Sequence, residues 1–282
     1  MKVIHSIQQI RTLVRQAKSE RKKIGFVPTM GALHEGHLAL LRQSKKENDL
    51  TVLSIFVNPQ QFSANEDFGR YPREEKKDEL LAKKENVDII FRPSIENIFP
   101  DEYLTAVKVE KFSQVLCGKF RPGHSKGVTT IVAKLLNIVS PDILYLGQKD
   151  AQQAVIISQM ITDLNFPVRV KIHPTIREKD GLALSSRNFY LNEKDRLVAP
   201  VLFQALTLAK NKILAGEREA KRIIALIQSL IQEKGISRID YIECVDAKTL
   251  EPLTTLRGRI MVSLAVWLGQ TRLSDNILVQ IK

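Results

Sequence analysis

The sequence predicts an α/β fold: a parallel sheet covered by helices over roughly the first two thirds, then a smaller α+β domain. Three observations carry it. Apolar runs of strand length alternate with helix-periodic segments as far as Ile172. After Arg187 the alternation stops, and two helix-like segments precede three strand-like ones. No internal repeat or low-complexity linker interrupts either part.

In order along the chain, residues 6–20 place Ile7, Ile10, Val14 and Ala17 on one helical face. Residues 24–27 read as a buried strand that stops at Pro28, and residues 38–46 read as an apolar helix with a basic tail. Residues 50–57 are a near-continuous apolar strand, 74–86 a charged helix, and 87–91 a short strand closed by Pro93. Residues 127–139 space Val128, Ile131, Val132, Leu135, Leu136 and Val139 as a helix, which Pro141 ends. Residues 142–146 read as a strand, 150–164 as a helix and 168–172 as a strand. The later part reads as helices over 193–215 and 219–233, then strands over 239–245, 259–267 and 276–281. The boundary falls near Ile176, giving domains 1–176 and 177–282.

Composition narrows the function classes. At 282 residues, 44% hydrophobic and 26% charged, the chain is an ordinary globular protein. No apolar run approaches the roughly 18 residues of a membrane span. Met1-Lys2-Val3-Ile4-His5 lacks the apolar core of a signal peptide, so a cytoplasmic location is expected. Cys117 and Cys244 are too few for a disulfide framework or a cysteine-based zinc site. The net charge of +12 raises nucleic acid, a membrane surface or anionic small molecules as partners. Its lysines are spread along the chain without interleaved aromatics, which reads as solvated helix faces; neither nucleic acid nor membrane is expected as the partner.

The most informative segment is Pro28-Thr29-Met30-Gly31-Ala32-Leu33-His34-Glu35-Gly36-His37. A strand, a tight turn and a helix N-terminus present backbone N–H groups and the positive end of a helix dipole, which suit an anionic phosphate. Gly31 and Gly36 let the backbone come close to a ligand. His34 and His37 can donate hydrogen bonds to phosphate oxygens as charge builds on them. A parallel sheet would hold this segment at its carboxyl edge, where such folds bind ligands. Structural histidines are the blander alternative. Zinc is disfavoured, because the pair lacks the four-residue spacing of zinc-protease helices.

Other segments admit two readings each. Asn58-Pro59-Gln60-Gln61 ends a strand with amides suited to hydroxyl and carboxylate groups, or it is a polar turn. In Gly147-Gln148-Lys149-Asp150, Lys149 can neutralise a phosphate and Asp150 can cap a helix or meet a magnesium ion; an ordinary strand exit fits as well. Gln153 shares a helix face with Asp150. Residues 180–187 end in Ser185-Ser186-Arg187, a grip suited to a triphosphate or a capping serine pair. Arg121-Pro122-Gly123-His124 is a basic turn, either a phosphate contact or a loop.

Together the segments PTMGALHEGH, SIFVNPQQF, CGKFRPGHSKGV, PDILYLGQKDAQQ, REKDGLALSSRN and GQTRLSDN resemble the pantothenate synthetase (pantoate–β-alanine ligase) family, in the family's order and over almost the whole chain. That family belongs to the nucleotidyltransferase superfamily with the His-x-Gly-His signature. The resemblance implies a Rossmann-like first domain and a lid-like second one. It implies attack of the pantoate carboxylate on the α-phosphorus of ATP, then attack of the β-alanine amine on the acyl adenylate, giving pantothenate and AMP. It assigns ATP contacts to Met30, Gly31, Ala32, Leu33, His34, Glu35, Gly36 and His37, to Gly147, Gln148, Lys149 and Asp150, and to Ile176, Leu184, Ser185, Ser186 and Arg187. Catalytic roles fall to His37 as proton donor, His34 and Lys149. Gln61 would hold pantoate and β-alanine, and Gln153 pantoate. Mg2+ would bridge the phosphates, with Asp150 a candidate ligand, and a homodimer is implied. Leu184, Ala151 and Ser125 replace residues more frequent in the family. Another adenylyl-transferring enzyme of the same superfamily is the alternative reading, and an RNA-binding module a more distant one.

Overall fold

The computed structural model describes residues 1–63 and 66–281. They form two compact units. The first comprises Met1–Ser113, Arg121–Gln148 and Ile156–Pro174; the second comprises Gln114–Phe120, Lys149–Val155 and everything described from Thr175 onward.

The elements run β1 (Lys2–Ile4), α1 (Ile7–Ser19), β2 (Ile24–Thr29), α2 (Glu35–Glu47), β3 (Leu50–Ile55), α3 (Glu75–Lys84), β4 (Ile89–Phe91) and α4 (Ile95–Ile98). Next come α5 (Cys117–Phe120), α6 (His124–Val139), β5 (Ile143–Gly147), α7 (Ala151–Asp163) and β6 (Arg169–His173). The rest of the chain adds α8 (Glu193–Val198), α9 (Val201–Leu214), α10 (Ala220–Glu233), β7 (Ile239–Asp246), β8 (Arg259–Leu268) and β9 (Thr271–Gln280).

The first unit carries a six-stranded parallel sheet in the order β1-β4-β3-β2-β5-β6. From β2 the chain builds outward through β3 and β4 on one side, and through β5 and β6 on the other. The order therefore reverses between β2 and β5, and the crevice outside their carboxyl ends is where such sheets bind ligands. Phe26 and Val27 are consecutive, point to opposite faces and are both fully buried, so both faces of β2 are covered. One face packs Val27, Leu53, Ile143 and Tyr145 against Leu38 and Leu41 of α2.

The second unit is built on the antiparallel sheet β7-β8-β9. Ile223, Ile227 and Ile231 recur every four residues on α10 and share one core with Val262, Leu264 and Val266 of β8.

Four differences from the sequence expectation have local causes. The edge strand β1 is only three residues long, too short for a periodic pattern, and Lys2 N–H donates to the Asp88 carbonyl at 2.8 Å to dock it beside β4. The expected single helix over 193–215 is two, α8 and α9, because Pro200 lacks the N–H that would continue the ladder. This stretch, Glu193–Leu214, does reach the length and mean hydropathy of a membrane span, but its Leu202, Ala205, Leu206 and Ala209 are core of the second unit. Strand β9 starts at Thr271, five residues before 276; Leu268 pairs with Thr271 across a two-residue turn in which Gly269 adopts φ 53°. The polar residues Thr271, Asp275 and Asn276 that hid this strand are buried. Finally, α2 begins at Glu35 with His34 as its N-cap, not at residue 38.

Candidate active site

The turn leaving β2 is held from three directions. Thr29 Oγ1 donates to the Ser54 carbonyl at 2.8 Å and accepts from Gly31 N–H at 3.2 Å. Gly31 has φ 85°, and a Cβ there would lie 2.9 Å from Asp78 Oδ2, so only glycine fits. Ala32 follows at φ 49°, a left-handed conformation unusual for alanine. The carboxylate of Asp78 accepts from Ala32 N–H at 2.9 Å and from Leu33 N–H at 2.7 Å, which fixes that conformation. Burial pushes the Asp78 carboxyl up from its ordinary value, and the two N–H bonds pull back only in part.

The histidines open α2 as a pair of caps. His34 Nδ1 accepts the N–H of Gly36 at 3.2 Å, and His37 Nδ1 accepts the N–H of His34 at 3.3 Å. A nitrogen that accepts carries no proton, so in this arrangement both neutral rings hold theirs on Nε2. The rings lie 4.1 Å apart between centroids. A Cβ on Gly36 would approach His34 Cε1 to 2.9 Å, so the glycine of the His-x-Gly-His pattern makes room for the first ring. His34 and His37 thus both cap the start of α2, which is the structural reading of the pair.

Gln61 lies in the short 3-10 turn Pro59–Gln61, capped by Asn58 Oδ1 on Gln60 N–H at 3.2 Å. Its side chain receives Asn58 Nδ2 at 3.1 Å and directs Nε2 to Met30 Sδ at 3.1 Å. Met30 and Gln61, both singled out in the sequence, are therefore neighbours. Gly127 of α6 lets this turn approach: a Cβ there would stand 2.1 Å from the Gln60 carbonyl oxygen. The basic turn also serves Gln61. His124 Nδ1 contacts the Gln61 carbonyl at 2.8 Å, and Arg121 binds Glu66 at 2.7 and 2.6 Å. Burial would raise Glu66, but the Arg121 guanidinium and His124 outweigh it and hold the carboxyl below its ordinary value.

In the second unit, Lys149 and Asp150 follow the Gly147 exit of β5 in a 3-10 turn, with Lys149 Nζ 3.4 Å from Asp150 Oδ1. Gln153 is half-buried on α7, whereas its neighbour Gln152 is structural: it accepts from Cys117 N–H at 3.0 Å and donates to the Val115 carbonyl at 2.8 Å. Ile176 and Leu184 close a hairpin through Leu184 N–H to the Ile176 carbonyl at 3.0 Å, with Arg177 bridged to Ala183. Ser185 Oγ caps the following turn on Arg187 N–H at 3.3 Å, so the capping reading holds for Ser185. Lys149, Ser185 and Asn188 border a small cavity of about 10 Å3. Among the described residues no three His, Cys, Asp or Glu side chains gather as a metal cage. The Asp150 side chain is 56% exposed.

Sequence reasoning missed Asp78 and the positioning roles of Arg121 and Glu66. Asp78 lay within Glu-Lys-Lys-Asp-Glu-Leu-Leu-Ala-Lys-Lys, which reads as a solvated face. The usable signal was its spacing: it stands four residues before Ala82, on the one buried side of α3.

Comparison with known proteins finds relatives over the whole chain. A sequence model of the family described as pantoate-β-alanine ligase matches residues 2–278. A pantothenate synthetase from Caldicellulosiruptor saccharolyticus is 50% identical over 281 residues, covering 100% of both chains. The crystal structure of a pantothenate synthetase from Thermus thermophilus superposes with a TM-score of 0.93 at 38% identity, covering 98% of this chain and 99% of that one. The pantoate-β-alanine ligase of Francisella tularensis, solved in complex with β,γ-ATP and β-alanine, gives a TM-score of 0.80 at 36% identity over 99% of this chain and 97% of that one.

Proposed function

The chain belongs to the pantoate–β-alanine ligase family, and from that premise we propose how its own residues form the amide bond. In the first step the (R)-pantoate carboxylate attacks the α-phosphorus of ATP, breaking the bond to the β-phosphate; pantoyl adenylate forms and pyrophosphate leaves. In the second the β-alanine amine attacks the acyl carbon, AMP departs with the carboxyl oxygen, and the amine proton is released. Both steps depend on positioning and on stabilising charge that builds on phosphate oxygens.

The observation that carries this reading is the double cap at the start of α2. With both Nδ1 atoms accepting backbone N–H groups, His34 and His37 offer Nε2–H to the phosphates at the switch point of the sheet. His37 is the proton donor and His34 its partner. The backbone of residues 30–37 lines the nucleotide, together with Gly147, Gln148, Lys149 and Asp150 and with Ile176, Leu184, Ser185, Ser186 and Arg187. Lys149 neutralises the phosphates. Gln61, steadied by Asn58, holds pantoate and then β-alanine, and Gln153 holds pantoate. Asp150 is the candidate protein ligand for Mg2+, which would supply further neutralisation of the triphosphate. The proposal extends to a cytoplasmic homodimer whose residues 177–282 act as a lid.

Exchange of labelled pyrophosphate into ATP tests it. Exchange is expected only when pantoate is present, and AMP release only when β-alanine is added too. Exchange without any acid, or with an amino acid alone, overturns the assignment.

A further inference from the structure

The late segment Gly269-Gln270-Thr271-Arg272-Leu273-Ser274-Asp275-Asn276 has no role in the reaction described above. Its last two residues are nonetheless 3% exposed each, and both are spent on segments proposed to grip ATP. Asp275 binds the Arg177 guanidinium in bidentate fashion, Oδ2 at 2.6 Å and Oδ1 at 3.0 Å. Arg177 also donates to the Gly181 carbonyl at 3.1 Å and lies 3.7 Å over the Phe203 ring, so it braces both arms of the 176–184 hairpin. Asn276 Nδ2 donates to the backbone carbonyl of Lys149 at 2.9 Å. Asp275 Oδ1 in turn accepts the backbone N–H of Asn276 at 2.8 Å, which fixes the carboxylate against the strand that carries both residues.

The residue types fit these tasks, and their nearest isosteres do not. Only a carboxylate matches the guanidinium fork. Only a side chain with a hydrogen-bond donor can hold a carbonyl, so aspartate at 276 would face the Lys149 oxygen with a second acceptor. Both residues stand on the edge strand β9, midway along its ten-residue pairing with β8 and opposite Leu264 and Ser263, so the ladder on both sides of them holds their anchor.

We propose that Asp275 and Asn276 are positioning residues for the adenylation step: one strand sets Lys149 and the Arg177–Arg187 loop at a fixed separation, so that the lysine and the serine-arginine grip meet the same triphosphate. This rests on the assignment of Lys149 and Ser185–Arg187 to ATP. Neither Asp275 nor Asn276 touches the reacting atoms; they act through the residues they hold.

The test measures ATP affinity by calorimetry, which needs no turnover, alongside pantoate-dependent exchange, in wild type, Asn276→Asp, Asp275→Asn, Lys149→Ala and the double variant Asn276→Asp/Lys149→Ala. Near-ultraviolet circular dichroism and a thermal melt confirm that each is folded. Asn276→Asp is expected to weaken ATP binding about tenfold in the wild-type background and hardly at all once Lys149 is alanine, the non-additivity of a residue acting through another. The KM for pantoate should stay within about twofold, because uniform binding of that substrate is untouched. Asp275→Asn, which keeps shape and loses charge, should weaken ATP binding as well. Equal losses for Asn276→Asp with and without Lys149, or wild-type ATP affinity in both single variants, overturn the proposal. Wild-type protein that shows no pantoate-dependent exchange would instead refute the underlying assignment, so the two failures are distinguishable.

Discussion

His37 Nδ1 accepts the backbone N–H of His34 at 3.3 Å, so the second histidine of the pair fixes the position of the first. Replacing His37 by alanine therefore removes two things at once: the proposed donor to phosphate and a helix cap. The donor carries the larger effect, about 10²- to 10³-fold in turnover for a lost charge-stabilising hydrogen bond. The cap is worth about 1 kcal/mol of stability. His37→Ala should thus fold, melt slightly earlier and lose most activity; Lys149→Ala should lose most activity without the cap penalty. Steady-state AMP release and a thermal melt measure both, and near-normal turnover in the two variants refutes their roles.

Gly36 separates the chemical from the structural part of the same motif. A methyl group there would press on the His34 ring at 2.9 and 3.0 Å, and the ring can swing away. Gly36→Ala is expected to leave stability nearly unchanged, because alanine favours the helix, while displacing His34. A misplacement of about 1 Å costs roughly 10²-fold in rate. A variant with normal kcat would show that the ring position does not matter.

How much of this was legible in the sequence depends on whether a residue's task is local. The histidine motif, its strand and the first residues of its helix lie within fourteen residues of chain (24–37), so pattern alone exposed them. Gln61 was visible as an amide past a strand end, but its neighbour Met30 was joined to it only by folding. Asp78 could not be seen, because its partners Ala32 and Leu33 are more than forty residues away and it sits among lysines and glutamates. The start of β9 was hidden for the same reason: Asp275 reads as a loop residue until Arg177 is placed against it. Residues 193–215 read as one helix through Pro200, although the break there follows from its missing N–H.

Asp78 yields a prediction of its own. Its carboxylate satisfies two backbone donors and steadies Ala32 at φ 49°. Asp78→Ala leaves both N–H groups without that acceptor, at about 1–3 kcal/mol for a buried unsatisfied group. The turn that aims residues 30–34 should loosen, so activity is expected to fall more steeply than stability. Urea unfolding read against the KM for ATP checks this; a variant with unchanged ATP affinity would confine Asp78 to a stabilising role.

Acid should unfold the protein in part through Glu47. Its carboxylate closes α2, takes Lys171 Nζ at 2.5 Å and the Tyr145 hydroxyl at 2.7 Å, and receives Gln43 Nε2 as well. The Lys171 bond first, then Tyr145, lowers its pKa from 4.5 to about 2. The unfolded chain takes up the proton near the ordinary value, whereas the folded one resists until about 2. Over that interval the unfolded state binds more protons, so the stability this group contributes is complete above the ordinary value and is lost as pH falls toward 2. Glu47→Gln should be less stable than wild type at pH 7, and the gap should narrow as the pH is lowered to 3, because wild type alone loses the contribution. Urea midpoints of both proteins at the two pH values decide it: acid profiles that run parallel would show that Glu47 carries no proton-linked stability.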